Sequence, residues 1–123
     1  MSTKKKSAIP AEKIALYEKL LATIPEIEQK GADNPYTSVN GNMFSLLQSP
    51  AGRLALRLPE KEREQFLKKY KAKLFEAYGT VMKEYVAVPD ELLKKTRELH
   101  RYLELSYAYA RTLKPKPSKT KKN

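Results

Sequence analysis

The sequence predicts an α+β domain, a two-layer antiparallel sheet with helices packed on it, in the order helix, three strands, helix, two strands, helix. Three observations carry that reading. Asn40-Gly41 stands between two short runs of β-formers, Tyr36-Thr37-Ser38-Val39 and Asn42 to Gln48, and this pair tolerates the positive φ angles of a two-residue hairpin turn. Residues 53–58 alternate between polar or small side chains and leucine, the period of a half-buried strand. Toward both ends, apolar residues recur at steps of three and four, the period of a helix with one buried face.

The first helix is expected over residues 11–24, with Ile14, Leu16, Tyr17, Leu20, Leu21 and Ile24 on one face and Pro10 suited to its first turn. Pro25 withdraws a backbone donor, residues 26–30 offer a restart, and Gly31 supplies a stop before a loop over 31–35. Three strands, 36–39, 42–48 and 53–58, then form a meander that turns at Asn40-Gly41 and at Ser49-Pro50-Ala51-Gly52. Pro59 and the acid-rich Glu60-Lys61-Glu62 open a short helix that presents Phe66, Leu67 and Tyr70 on one side and ends near Lys71. Residues 73–77 and 81–88 read as a second hairpin through Tyr78-Gly79-Thr80. Its second strand has Val81, Lys83, Tyr85 and Ala87 on one face and Met82, Glu84, Val86 and Val88 on the other. Val86 and Val88 favour the second set as core while Glu84 opposes it, so the facing stays open. Pro89-Asp90-Glu91 starts the last helix, expected to run unbroken to Leu113 over ~24 residues, or ~36 Å. Its seam is Leu92, Thr96, Leu99, Leu103, Ser106, Ala110 and Leu113.

At 123 residues the chain suits one domain, placed at 10–113, between basic tails at 1–9 and 114–123. Neither tail has an apolar periodicity, so both are expected to be disordered. Lys4, Lys5, Lys6, Lys114, Lys116, Lys119, Lys121 and Lys122 supply eight of the eleven surplus positive charges, which leaves the folded part only mildly basic. The absence of cysteine excludes disulfides, thiolate metal sites and cysteine nucleophiles. No stretch approaches the ~20 apolar residues of a membrane span, and a soluble cytoplasmic protein without membrane contact is expected.

The residues carry little chemistry. Neither GxxxxGK nor GxGxxG occurs. His100, the sole histidine, has Glu104 one turn away, but this spacing is also that of an ordinary exposed helix pair, and no nucleophile is placed to use it. Glu60, Glu62 and Glu64 alternate with Lys61 and Arg63 at a helix start, where acids complement the dipole. No catalytic residue, cofactor or metal site is therefore expected, and the chain reads as a non-enzyme. Two binding modes are expected instead. Weak, non-specific nucleic-acid contact falls to Lys68, Lys69, Lys71 and Lys73 with the tail lysines Lys114, Lys116, Lys119, Lys121 and Lys122. Self-association, or docking of a protein partner, falls to Tyr102, Leu105, Tyr109 and Leu113, on the premise that a long last helix overshoots the sheet. The competing arrangement covers that half with Leu16, Tyr17, Leu20 and Leu21 of the first helix.

"KGADNPYTSVNGNMFSLL", "GRLALRLPEKEREQFLKKY" and "KEYVAVPDELL" together resemble the TfoX/Sxy N-terminal domain family of small bacterial proteins, over roughly residues 26–113. Met43-Phe44, Leu54 to Leu58 and Tyr85 to Leu93 are the most telling elements. The resemblance implies an α+β domain with the same element order and, for some members, a link to the regulation of natural competence. It implies no reaction. A non-enzymatic regulatory or interaction domain is the expected function, with an accessory nucleic-acid-binding protein as the alternative.

Overall fold

Residues 9–31, 34–77 and 79–115 are described by the structure, a computed structural model. The disorder expected of the two basic tails concerns residues that, apart from Ile9, Lys114 and Pro115, lie outside the described residues, as does Tyr78. The elements are α1 (Ala11–Leu21), β1 (Tyr36–Val39), β2 (Asn42–Gln48), β3 (Arg53–Arg57), α2 (Glu60–Tyr70), β4 (Leu74–Ala77), β5 (Thr80–Ala87), α3 (Asp90–Leu93) and α4 (Thr96–Thr112). The strands form one antiparallel sheet in the order β1-β2-β3-β5-β4. The fold is thus α+β, with the element order broadly as expected.

One face of the sheet carries the helices. Tyr17, Leu20 and Leu21 of α1, Phe66 of α2, Leu92 and Leu93 of α3, and Leu99, Leu103 and Ala110 of α4 are buried in one cluster with Phe44, Leu54, Leu56, Val86 and Val88. Each large apolar side chain removed from water here contributes about 1.5–3 kcal/mol before entropy is counted. Tyr102 meets Phe66 edge-on at 5.0 Å between ring centres, the orientation that ring quadrupoles prefer. Lys13 pairs with Asp90 at 2.9 Å and ties α1 to the start of α3.

The turns follow their residues. Asn40 and Gly41 both take positive φ, 56° and 78°, as a type I′ turn requires, and Val39 pairs with Asn42 across it. Lys71, in the left-handed region at φ 52°, ends α2 where the sequence places the end. α1 stops at Leu21, before the expected Ile24. Thr23 donates its hydroxyl to the Leu20 carbonyl at 2.7 Å, Ile24 and Ile27 still pack on the core, and Lys30 bridges Tyr36 through two backbone bonds. The helical restart over 26–30 is not taken.

Four further expectations need correction. Ile9, assigned to the tail, is buried in the core cluster. The last helix is not continuous: it breaks at Lys94-Lys95, where Lys95 sits at φ −98°, ψ 73°. The break lets the adjacent leucines Leu92 and Leu93 both enter the core, which a straight helix spreads over a wider arc. With α4 shortened and α1 packed beside it, the overhang on which a helix-mediated dimer was premised is absent. Tyr102 is buried in the chain's own core, and Leu105 and Tyr109 are half-buried. The strict alternation expected of β5 fails too. The register jumps from Leu74↔Val86 to Phe75↔Met82, so Val86 faces the helices while Met82, Tyr85 and Ala87 share the opposite face.

β2 has a comparable irregularity. Thr37 pairs with Ser45 and Ser38 with Met43, which leaves Phe44 as an extra residue. Phe44 and Ser45 consequently both point toward the helices. Beneath α1, Ser45 Oγ is hydrogen-bonded to the Tyr17 hydroxyl and to Thr37 Oγ1, each at 2.6 Å, with all three residues fully buried.

Candidate functional site

Every buried apolar side chain of the helices belongs to the cluster on the helical face, yet the other face of the sheet is also apolar. Ala55 and Phe75 are fully buried there, with Met43, Leu46, Ala77, Met82 and Ala87 packed around them. A cavity of about 540 Å³ opens on this face. Its lining comes from β1 and β2 at one side of the sheet and from β4 and β5 at the other, so the sheet curls over the short Ala55 side chain in its central strand. Met43, Leu46, Phe75, Ala77 and Met82 make the walls, and Asn34, Gln48 and Thr80 place neutral polar groups among them. Among the described residues, no carboxylate, amine or imidazole lines it. That lining suits the burial of large apolar side chains, with the Tyr36 phenol among them.

The bulge in β2 sets one border of this face. The Met43 carbonyl accepts the Tyr85 hydroxyl at 2.8 Å and an Arg57 guanidinium nitrogen at 3.3 Å. Arg57 Nε donates to Glu84 Oε1 at 2.7 Å, and Tyr109 on α4 donates to Glu84 Oε2 at 3.3 Å. The guanidinium also lies over the Tyr85 and Tyr109 rings, 5.6 and 6.0 Å from their centres. Glu84, the residue that opposed a core facing, is accommodated by this knot. Burial raises the Tyr85 phenol above its ordinary value, while the Arg57 charge pulls the other way.

The expected lysines do not act as one cluster. Lys68, Lys69, Lys71 and Lys73 are all exposed, but the fold divides them. Lys73 joins Arg53, Leu74 and Glu76 in a cleft of about 380 Å³ that meets the apolar cavity at Gln48. Lys69 instead lines a cleft with Lys95, Arg97 and Arg101 at the start of α4. Lys114 contributes its backbone carbonyl to Asn42 at 3.0 Å, and Lys116, Lys119, Lys121 and Lys122 lie outside the described residues. Tyr109 and Leu113 remain at the C-terminal end of α4, half-buried.

His100 is held in place by its neighbours. Thr23 spends its proton on the Leu20 carbonyl, so at 2.8 Å it accepts from His100 Nδ1, and Nε2 faces Glu104 at 3.7 Å. Among the described residues no three metal-ligating side chains gather, and no helix is long and apolar enough to cross a membrane.

Sequence reasoning missed the cavity because its walls come from strands 40 or so residues apart, and because two register irregularities move Met43 and Met82 onto the same face. One signal was present. Pro35 and Tyr36 begin the stretch around Asn40-Gly41; the turn is a hairpin corner, but the residues that lead into it wall the cavity.

No curated protein matches the chain. The model of the TfoX N-terminal domain matches residues 36–110, from the first strand to the last turns of α4, which is most of the folded part. With this match over more than half its length, the chain belongs to the TfoX N-terminal domain family.

Proposed function

We propose that this protein is a non-enzymatic interaction domain with a regulatory role, and that it works by docking an apolar segment of a partner protein on the concave face of its sheet. The uncharged cavity walled by Met43, Leu46, Phe75, Ala77 and Met82 carries this reading. A peptide-binding groove needs apolar depth with a few neutral hydrogen-bonding groups, which Asn34, Tyr36, Gln48 and Thr80 supply. The regulatory part draws on the family, some of whose members are linked to competence.

The occupant follows from chemistry. Residues 1–8, MSTKKKSA, and 116–123, KPSKTKKN, are too polar to fill the cavity. The adjoining cleft carries Arg53 and Lys73 against one acid, Glu76, a net positive edge that suits an acidic flank better than a second copy of this basic chain. A segment with large apolar side chains and acidic flanks satisfies both clefts. The test is selection of a random peptide library on the full chain. Enriched peptides should pair apolar residues with Asp or Glu, and Met82→Lys should abolish their binding without lowering the melting temperature. Peptides that bind Met82→Lys equally well, or a dimer in sedimentation that Met82→Lys dissociates, would overturn the reading.

A further inference from the structure

A second surface lies across the sheet from the cavity, on the helical layer. Two adjoining clefts share Lys95 and Arg97; one adds Lys69 and Arg101, and the other adds Lys19 and Lys94. All six side chains are exposed, and none takes part in any of the ion pairs among the described residues. The one carboxylate lining either cleft, Glu98, is engaged by the Tyr70 hydroxyl. The fold builds this surface by bringing Lys19 of α1 and Lys69 of α2 beside the basic stretch 94–101 at the α3–α4 break.

We propose that this three-helix face binds the phosphodiester backbone of nucleic acid. Four features favour that ligand. The charges are spread over two open clefts instead of converging on one point, which suits an extended polyanion more than a single phosphate. Arg97 and Arg101, one helical turn apart, present planar guanidinium forks that match phosphate oxygens. α4 begins between the two clefts, and its N-cap residue Lys95 makes no side-chain capping bond, so the partial positive charge of a 17-residue helix adds to the same face. Finally, among the described residues the only exposed large apolar side chain is Val81, in β5, so this face lacks the apolar centre of a protein interface and any side chain to insert into a lipid surface. The binding is to the backbone and is therefore largely indifferent to base sequence.

The experiment titrates the full chain with a short, fluorescently labelled duplex of random sequence between ~50 and 200 mM salt. Lys95→Gln/Arg97→Gln/Arg101→Gln is compared with a charge-matched tail variant, Lys119→Gln/Lys121→Gln/Lys122→Gln. The face variant should flatten the slope of log affinity against log salt by about 2–3 and weaken binding at least ~10-fold at moderate salt, while circular dichroism stays unchanged. The tail variant should lose markedly less. Equal losses in the two variants, or no loss from the face variant, would show that charge alone or the tails carry the binding and would overturn the proposal. So would tighter binding to phosphatidylserine vesicles than to the duplex, abolished by the same face substitutions.

Discussion

Replacing Tyr17 by Phe, Ser45 by Ala, and both together should give costs that fail to add, in a direction set by one shared oxygen. Ser45 Oγ lies 2.6 Å from both the Tyr17 hydroxyl and Thr37 Oγ1, with no exposure at any of the three residues. Tyr17→Phe removes one hydroxyl and leaves Ser45 bonded to Thr37, so it should cost about 1 kcal/mol. Ser45→Ala strands two buried hydroxyls at about 1–3 kcal/mol each, or roughly 2–6 kcal/mol in total. In the double variant only Thr37 is stranded, so adding Tyr17→Phe to Ser45→Ala should be neutral or stabilising by about 1 kcal/mol. Equilibrium urea unfolding reads these differences as shifts in midpoint at constant m-value. If Tyr17→Phe costs the same ~1 kcal/mol in both backgrounds, the two bonds are independent and the coupling through the Ser45 oxygen is wrong.

Alkaline pH provides a second test. Tyr17, Tyr70, Tyr85 and Tyr109 are all held above the usual tyrosine value of 10.0, with burial as the first cause for each. A phenol whose folded pKa is raised contributes stability that is full below the unfolded value and is lost as pH climbs from there toward the folded value. Urea midpoints should therefore hold steady to about pH 9.5 and fall steeply above about 10, with a shallower fall in Tyr17→Phe. Two glycines make a third comparison: at Gly52, φ +78°, an added Cβ comes within 2.8 Å of the Lys13 side chain, whereas at Gly79, φ +77°, it meets open space. Gly79→Ala should cost about 1 kcal/mol through backbone conformation alone, and Gly52→Ala distinctly more, by thermal melting. Phe75→Ala, which empties the fully buried floor of the concave face, should cost about 3–5 kcal/mol in urea.

The local chemistry of the chain was readable from its residues. Asn40-Gly41, Ser49 to Gly52 and Pro59 to Glu62 place the meander and α2 because each depends on neighbours in sequence for its backbone angles. Reading failed where a distant contact overrides a local period. The pattern from Leu92 to Leu113 is helical throughout, and nothing in it marks the break at Lys94-Lys95, on either side of which α3 packs on β3 and α4 on β2 and β3. In β5, alternation predicts two fixed faces, but the jump beside Phe75 mixes them, so the choice between the facings had no single answer. Of the candidate site, Lys69 was legible as a basic residue. Lys94, Lys95, Arg97 and Arg101 fall within residues 94–101, but Lys19 and Lys69 join them only through the packing of α1 and α2, and the apolar cavity needed two distant pairs of strands brought into one sheet.

The strand order β1-β2-β3-β5-β4 has a consequence for how the molecule assembles and opens. The meander of β1 to β3 and the hairpin of β4 and β5 each form from contacts close in sequence, and they join along one seam, Ala55↔Ala87, Leu56↔Val86 and Arg57↔Tyr85. Beyond those pairs, the seam is extended by the backbone bonds from Leu58 N–H to the Glu84 carbonyl and from Val88 N–H to the Leu54 carbonyl, and by the Arg57–Glu84 ion pair across it. Closing it requires a loop that contains all of α2, so it forms after the two local units in a folding sequence governed by loop entropy. Parting it separates the sheet without breaking either hairpin, yet exposes the whole core that Leu54, Leu56 and Val86 share with the helices. Amides along the seam should accordingly exchange with solvent only through global unfolding, while those at the outer edges of β1 and β4 exchange through smaller openings. Native-state hydrogen exchange distinguishes the two classes, and seam amides that exchange as readily as edge amides would show that the seam opens without global unfolding.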